Sequence, residues 1–157
     1  MPSVAPWARR ERVAPTVKPC VFCSIVAGST PAAVVLDEPP VLAFLDVSPV
    51  FPGHVLIIPR GHHETLSDLP SELVTAVFLA AQRVATAVQT AMEADGTWVS
   101  MNNTVSQSVP HVHVHVVPRR RKDGLRGFYW PRRNYGSTAE IAEVARRIAN
   151  AMPAPPS

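Results

Sequence analysis

The order of hydrophobic and polar positions changes along this chain and predicts separate strands and helices. The stretch AAVVLDEPPVLAFLD holds two β-rich runs around Glu38-Pro39-Pro40, which predicts a hairpin with a proline-containing turn. HVLIIPR, TWVSMNN and HVHVHVVP are short and apolar or alternating, and we expect three further strands there. CVFCSIVAG is also apolar and ends at Gly28, which predicts one or two helical turns.

Between the third and fourth predicted strands, apolar residues recur at spacings of three and four. This spacing predicts a long amphipathic helix that begins near Pro70 and is stopped at Asp95-Gly96. Its apolar positions are Val74, Val77, Phe78, Ala81, Val84, Ala85 and Val88. Ser137 and Glu140 have capping-box spacing, which predicts a second helix near the C-terminus. Five strands joined by short turns, with two helices, predict an α+β fold around an antiparallel sheet of about five strands.

Length and composition limit the classes of protein that fit. A chain of 157 residues with 46% hydrophobic and 17% charged residues is typical of one globular domain. Residues 1–17 are rich in Pro, Ala and Arg, so we expect a disordered arm, then a single domain over 18–152 and a loose tail over 153–157. We expect no apolar stretch to approach the roughly 20 residues that a membrane helix requires. The N-terminus lacks the apolar segment of a signal peptide, which favours the cytoplasm and no membrane partner.

The basic residues are concentrated in two places. The net charge is +3, with one arginine cluster near the N-terminus and another in PRRRKDGLRGFYWPRRNY. Within this stretch, residues 119–133 mix arginine with aromatic residues, as nucleic-acid arms do. We favour a solvated loop that attracts polyphosphate, so nucleic acid is not an expected partner.

Three histidines, His111, His113 and His115, alternate with valines in one short run. Successive side chains of a strand point to opposite faces, so the histidines should line one face while the valines pack on the core. Such a row could be an exposed edge, or it could supply metal ligands, because imidazole binds Zn, Cu, Fe and Ni. It could also surround one polyatomic anion, because alternate residues lie roughly 6.6 Å apart.

HVHVHVV resembles the His-φ-His-φ-His-φ-φ signature of the histidine triad (HIT) nucleotide hydrolases and transferases, where φ is apolar. CVFCSIVAG, VLAFLDVSPVFPGHVLIIPRGH, QSVPH and DGLRGFYW follow the family's order, so the resemblance covers about residues 20–135. The chain is most similar to the bacterial Hint-like branch, with some similarity to Fhit around the triad. The resemblance implies a HIT-like fold and a homodimer. It also implies cleavage of a nucleoside phosphoramidate or dinucleoside polyphosphate to a nucleoside monophosphate, and we expect the nucleotide to be a purine one.

The resemblance also implies the catalytic residues. His113 would attack the α-phosphorus and form a nucleotidyl-histidine, which is covalent catalysis. His115 would bind the phosphate oxygens or the leaving group, and His54 resembles the family's fourth active-site histidine. The Ser108 hydroxyl would stabilise charge on the phosphate.

Other positions match the family's substrate contacts. Asp46 would accept hydrogen bonds from the ribose hydroxyls, which suits a carboxylate. An apolar slot for the base, whose residues could equally be ordinary core, would consist of Phe22, Ile25, Phe44 and Val47. The remaining substrate contacts would be Asn102, Gln107 and Trp130, the last of which could instead contact a second subunit. The loop NNTVSQSVPH is about two residues shorter than in the family and has Ser106 where glycine is expected, which leaves Asn103 as an alternative to Asn102.

The two cysteines, Cys20 and Cys23, favour a metal half-site or a redox pair over a structural disulfide. Resemblance to cysteine-bearing bacterial relatives implies a structural zinc bound by Cys20, Cys23, His62 and His111, with His63 as an alternative to His62. An unmetallated pair is the other possibility, and no redox cofactor is expected. Two further functions stay open: a metal-dependent hydrolase that uses all three triad histidines as ligands, and a nucleotide- or RNA-binding module without chemistry.

Overall fold

The computed structural model describes residues 19–125 and 133–154, which form one antiparallel sheet with three helices. The elements are α1 (Val21–Val26), β1 (Val34–Glu38), β2 (Val41–Leu45), β3 (Val55–Pro59), α2 (Ser71–Ala91), β4 (Gly96–Ser100), β5 (Val114–Arg119) and α3 (Thr138–Asn150). The strands lie in the order β1-β2-β3-β5-β4, and each neighbouring pair is antiparallel. The predicted α+β class and the β1–β2 hairpin are confirmed.

Both faces of the central strands are buried, which explains their continuous apolar sequences. On one face, residues of β2, β3 and β5 pack with α2. On the other face, a second cluster contains Phe22 of α1 together with Leu42, Phe44, Leu56 and Ile58. The sheet therefore separates the long helix from α1, and His111 and His113 lie on the α1 side, where their rings contact Phe22.

Helix α2 follows the predicted spacing with two differences. It ends at Ala91, earlier than the Asp95-Gly96 stop, and Phe78 is 43% exposed although its spacing placed it on the buried face. The buried face consists of Val77, Ala80, Ala81, Val84 and Val88. At 21 residues, α2 is the one described helix long and apolar enough to cross a membrane, which corrects our expectation that no stretch approaches that length. A long helix that packs on a sheet, as α2 does, also meets these criteria of length and hydropathy.

The fifth strand begins later than the sequence pattern predicts. β5 starts at Val114, so His111 and His113 lie in an extended segment that precedes the strand. The β3–β5 register pairs Ile57 with Val114, which would place Pro59 opposite Val112. Proline has no N–H to donate, so the ladder ends there. The N–H of Val112 donates instead to the carbonyl of His63, at 2.7 Å.

The predicted division of faces holds, but the histidines are not on an open surface. Val114 and Val116 pack in the α2 cluster, as expected. His111 and His113 are only 0% and 3% exposed on the opposite side. The reading of these residues as exposed histidines of an edge strand is therefore wrong, because β5 is an inner strand between β3 and β4.

Helix α3 begins as predicted at its N-cap, where the Ser137 hydroxyl accepts from the N–H of Glu140 at 3.1 Å. The Glu140 carboxylate accepts from Gly136, so the second half of the capping box is displaced by one residue. None of the described residues of α3 is buried. The predicted arm over 1–17, Trp130 and residues 155–157 lie outside the described residues, and the domain limits 18–152 stay a prediction.

Candidate active site

A backbone carbonyl fixes the proton on the middle histidine of the triad. The Nδ1 of His113 lies 2.7 Å from the carbonyl oxygen of His111. Because a carbonyl only accepts, Nδ1 carries the proton and donates. The neutral ring then has its lone pair on Nε2, the atom required of a nucleophile.

A different carbonyl fixes His111. Its Nε2 lies 2.9 Å from the carbonyl oxygen of Pro59, so Nε2 donates and Nδ1 holds the lone pair. Nδ1 lies 3.5 Å from the Sγ of Cys20 and 3.6 Å from the Sγ of Cys23. The two neighbouring histidines therefore present opposite ring nitrogens, one to the cysteines and one elsewhere.

The third histidine takes its proton position from a hydrogen-bonded chain. The N–H of Val50 donates to Nδ1 of His54 at 3.2 Å, so a neutral His54 carries its proton on Nε2. That Nε2 lies 2.9 Å from Nδ1 of His115, which accepts. His115 is then left with its own proton on Nε2, as a hydrogen-bond donor. Asp46 lies 3.5 Å from Nδ1 of His54, close enough to stabilise a positive charge on that ring.

Burial keeps the rings of His54 and His115 neutral. It lowers the pKa of His54, although the nearby Asp46 carboxylate acts in the opposite direction. Burial, followed by the neighbouring His113 and His54, lowers the pKa of His115 to about 4. Both rings are uncharged at neutral pH, as the hydrogen-bond directions require.

The histidines do not form one metal site. Among the residues that the structure describes, no group of metal-capable atoms contains all three triad histidines. Asp46, His54 and His115 do lie together, but a hydrogen bond between Nε2 of His54 and Nδ1 of His115 occupies the atoms a metal would need. The metal-dependent hydrolase with three histidine ligands is therefore disfavoured.

A separate group matches the predicted metal ligands. One donor atom from each of Cys20, Cys23, His62 and His111 lies within 4.8 Å of the others. The Sγ of Cys23 lies 3.3 Å from Nδ1 of His62. Zn–S and Zn–N bonds in a tetrahedron place sulfur and nitrogen about 3.6 Å apart, close to the observed sulfur–nitrogen distances. The four side chains fit a zinc ion.

His63 lies outside this group. Its carbonyl accepts from Val112 while its ring lies near Gly61. Between the two candidates, His62 is the one whose ring nitrogen faces a cysteine sulfur.

A cavity of about 370 Å³ opens beside His113 and His115. Its lining includes the predicted residues Phe22, Ile25, Phe44, Asp46, Val47, Ser108, His113 and His115. The ring of Phe22 lies edge-on at 5.2 Å from His113 and 5.5 Å from Phe44. Phe22 and Phe44 are buried core residues that also form the cavity wall, whereas Val47 is 94% exposed. The cavity and the core therefore share residues.

Several lining residues were not predicted. They are Val21, Thr30, Pro31, Ala32, Leu45, Ser48, Leu56 and Val109. Most are sequence neighbours of the matched motifs, so the motifs marked the right segments but not every wall residue. The amide of Val50, which sets the proton on His54, had no signal in the sequence because any residue except proline supplies an N–H.

The side chains of Gln107 and Asn102, both predicted substrate contacts, bond to the backbone of the loop and its neighbours, and their contact with substrate stays a prediction. Gln107 accepts from the N–H of Thr104 at 2.7 Å and donates to the carbonyl of Glu64 at 2.6 Å. The Asn102 amide donates to the carbonyl of Ser106 at 3.2 Å. Neither residue is among those that line the cavity.

Asn103, the alternative to Asn102, accepts from the N–H of Leu66 at 2.7 Å. Ser106 has φ +59°, so the position where the family pattern has glycine keeps a left-handed backbone here.

The basic segment does not behave as a free phosphate-binding loop at its start. Arg119 forms a bidentate ion pair with Asp123 and also donates to the carbonyl of Leu125. Arg120 donates to the carbonyls of Met92 and Glu93, at the C-terminal end of α2. These two arginines fasten the turn to the domain, while Arg120 itself is exposed, so the solvated loop that attracts polyphosphate stays a prediction.

Comparison with known proteins gives a consistent picture. The HIT domain family model matches residues 27–122. The hit protein of Bacillus subtilis is 40% identical over 113 residues, which cover 71% of this chain and 78% of that protein. An adenosine 5′-monophosphoramidase of Saccharomyces cerevisiae is 38% identical over 109 residues, covering 68% of this chain and 66% of the yeast protein.

Solved structures share the fold. The crystal structure of a HIT family member from Bacillus subtilis has a TM-score of 0.79 at 33% identity, covering 88% of this chain and 100% of that chain. A zinc-bound histidine triad family protein from Mycobacterium smegmatis has a TM-score of 0.66 at 34% identity, covering 82% of this chain and 97% of that one.

Proposed function

Because the chain belongs to the HIT domain family, we propose that it cleaves a nucleotide at the α-phosphate through a nucleotidyl-His113 intermediate. The substrate is a nucleoside phosphoramidate or a dinucleoside polyphosphate, and the product is a nucleoside monophosphate. At family level, nucleotide hydrolysis is supported by relatives named adenosine 5′-monophosphoramidase and adenylylsulfatase. The observation that carries the proposal is the 2.7 Å bond from Nδ1 of His113 to the His111 carbonyl, beside the cavity.

In the first step, the Nε2 lone pair of His113 forms a bond to the α-phosphorus, and the bond from phosphorus to the leaving group breaks. The leaving nitrogen or oxygen takes the electron pair of that bond, accepts a hydrogen bond from the Nε2–H of His115 and is protonated by solvent. The positive charge on the nucleotidyl-imidazole is stabilised by the His111 carbonyl, which accepts from Nδ1.

His54 holds His115 in this tautomer, because the Nε2–H of His54 donates to Nδ1 of His115. In the second step, water attacks phosphorus and gives a proton to solvent, while the P–N bond to His113 breaks and its electron pair returns to Nε2. The two steps together consume one water and return every histidine to its starting protonation state.

The cavity supplies binding and orientation. The rings of Phe22 and Phe44 and the side chains of Ile25 and Val47 form an apolar wall for a planar base. Oδ1 of Asp46 accepts from the N–H of Ser48 at 2.8 Å and has a second lone pair for a ribose hydroxyl. A zinc ion bound by the two cysteines, His62 and His111 would serve as a structural cross-link between α1 and the segment before β5. A homodimer and a cytoplasmic location stay predictions.

The decisive experiment incubates the protein with adenosine 5′-phosphoramidate and a diadenosine polyphosphate. His113→Ala should abolish release of AMP while AMP still binds in calorimetry, and wild-type protein should yield an acid-labile nucleotidyl-histidine on quenching. His63→Ala is the matched control, because its ring lies outside the site, and it should keep wild-type turnover. Wild-type turnover by His113→Ala would refute the nucleophile. Binding without any turnover by the wild type would favour the non-catalytic module.

A further inference from the structure

The apolar wall of the cavity contains one polar side chain that the proposed mechanism does not use. Helix α1 and the segment that follows it contribute Val21, Phe22, Ile25, Thr30, Pro31 and Ala32 to the lining. All of these except Thr30 are apolar. The other polar side chains of the lining come from different segments, at Asp46, Ser48, Ser108, His113 and His115.

The position of Thr30 is fixed, but its hydroxyl is free. The backbone N–H of Thr30 donates to the carbonyl of Ser24 at 3.1 Å, which ties the residue to α1. The side chain is half-buried, and within residues 19–125 and 133–154 its hydroxyl has no hydrogen-bond partner. Among the described residues, only Nε of Arg60 is a buried side-chain polar atom without a partner, so the Thr30 hydroxyl is accessible from the cavity that Thr30 lines and a ligand there can pair with it.

We propose that the Thr30 hydroxyl hydrogen-bonds to the polar edge of the nucleobase and so selects nucleobases over apolar rings of the same shape. This inference rests on the proposed function, because it assigns the apolar wall to the base. A hydroxyl both donates and accepts. It therefore pairs with an amino edge and with a keto edge alike, so the recognised class is a base with a hydrogen-bonding edge rather than one particular purine.

The test compares two substrates that differ only at the base. One is adenosine 5′-phosphoramidate, and the other carries indole in place of adenine, which keeps the ring shape but has no hydrogen-bonding edge. Thr30→Val removes the hydroxyl at nearly constant shape, and Thr30→Ser retains it. One hydrogen bond of about 1 kcal/mol corresponds to a roughly fivefold change. The ratio of kcat/KM for adenosine over indole should fall about fivefold in Thr30→Val and stay near the wild-type ratio in Thr30→Ser.

An equal loss on both substrates, or no change in Thr30→Val, would overturn the role of Thr30. Calorimetry with AMP and the indole nucleoside monophosphate measures the same ratio without turnover. A shifted binding ratio in a protein that releases no AMP would support Thr30 and refute the proposed function. A thermal melt of each variant confirms that a lost ratio does not come from unfolding.

Discussion

Protonation of His115 should destabilise the protein, because the folded state holds this ring neutral. Its pKa is about 4, compared with an ordinary value of 6.5, owing first to burial and then to His113 and His54. Below pH 6.5 the unfolded chain takes up a proton that the folded protein refuses. Since the unfolded state then binds more protons, the free energy of unfolding decreases as the pH falls from 6.5 towards 4.

The magnitude follows from the two pKa values. Between pH 7 and pH 5 the His115 contribution to the free energy of unfolding falls by about 2 kcal/mol, and the full acid loss is about 3 kcal/mol. His54, whose pKa is also lowered, acts in the same direction. Loss of metal in acid would add to both, so the contribution of His115 has to be measured as a difference between variants.

The assay is urea unfolding of the wild type and His115→Gln at pH 7 and pH 5, at equal zinc and protein concentrations. Glutamine accepts from His54 through Oε1 and does not titrate, while the zinc ligands and His54 are common to both proteins. The wild type should lose about 2 kcal/mol more than His115→Gln between the two pH values. Equal losses in the two proteins would show that His115 is not held neutral by the fold.

Three more outcomes follow from individual contacts. Cys23→Ala should lower bound zinc and weaken AMP binding roughly tenfold, because a six-residue helix such as α1 is not stable alone and carries Phe22. Zinc analysis measures the bound metal and calorimetry measures the AMP affinity. An unchanged AMP affinity after zinc loss would contradict this link. Ser106→Gly should raise the free energy of unfolding by up to about 1 kcal/mol, since φ there is +59°, and a destabilised variant in urea unfolding would count against strain. Arg120→Ala should lower stability by about 1 kcal/mol through two lost bonds at the end of α2. The KM of this variant for diadenosine polyphosphate should not change, and a raised KM would show that Arg120 binds polyphosphate.

The helices and strands were predictable because their apolar residues recur with regular spacing or form short continuous runs where the segments are buried. The spacing of apolar residues in α2 identified most of the face that packs on the sheet, and the β1–β2 hairpin followed from its prolines. The late start of β5 was not predictable from HVHVHVVP itself. It depends on Pro59 lying opposite Val112, which becomes known only when the register of two distant strands is known.

The site was predictable to the extent that side-chain chemistry determines it. Two thiols and two imidazoles have the donor set of a zinc site, and the structure brings those four residues together. Gln107 shows what side-chain chemistry alone leaves undetermined. An amide suits a phosphate and a backbone equally, and only the fold shows that Thr104 and Glu64 each bond to one end of it.

The three triad histidines show most clearly what a pattern leaves undetermined. In HVHVHVV they are equivalent, yet the lone pair is on Nδ1 of His111, on Nε2 of His113 and on Nδ1 of His115. The partner of His113 is only two residues away, so a local preference of the extended chain can set the nucleophile. The partners of His111 and His115, Pro59 and His54, are 52 and 61 residues away and both flank β3. Strand pairing between β3 and β5 is therefore what gives identical residues different chemistry, and a slip of that register would disturb the metal site and the hydrogen-bond donor His115 while sparing the nucleophile.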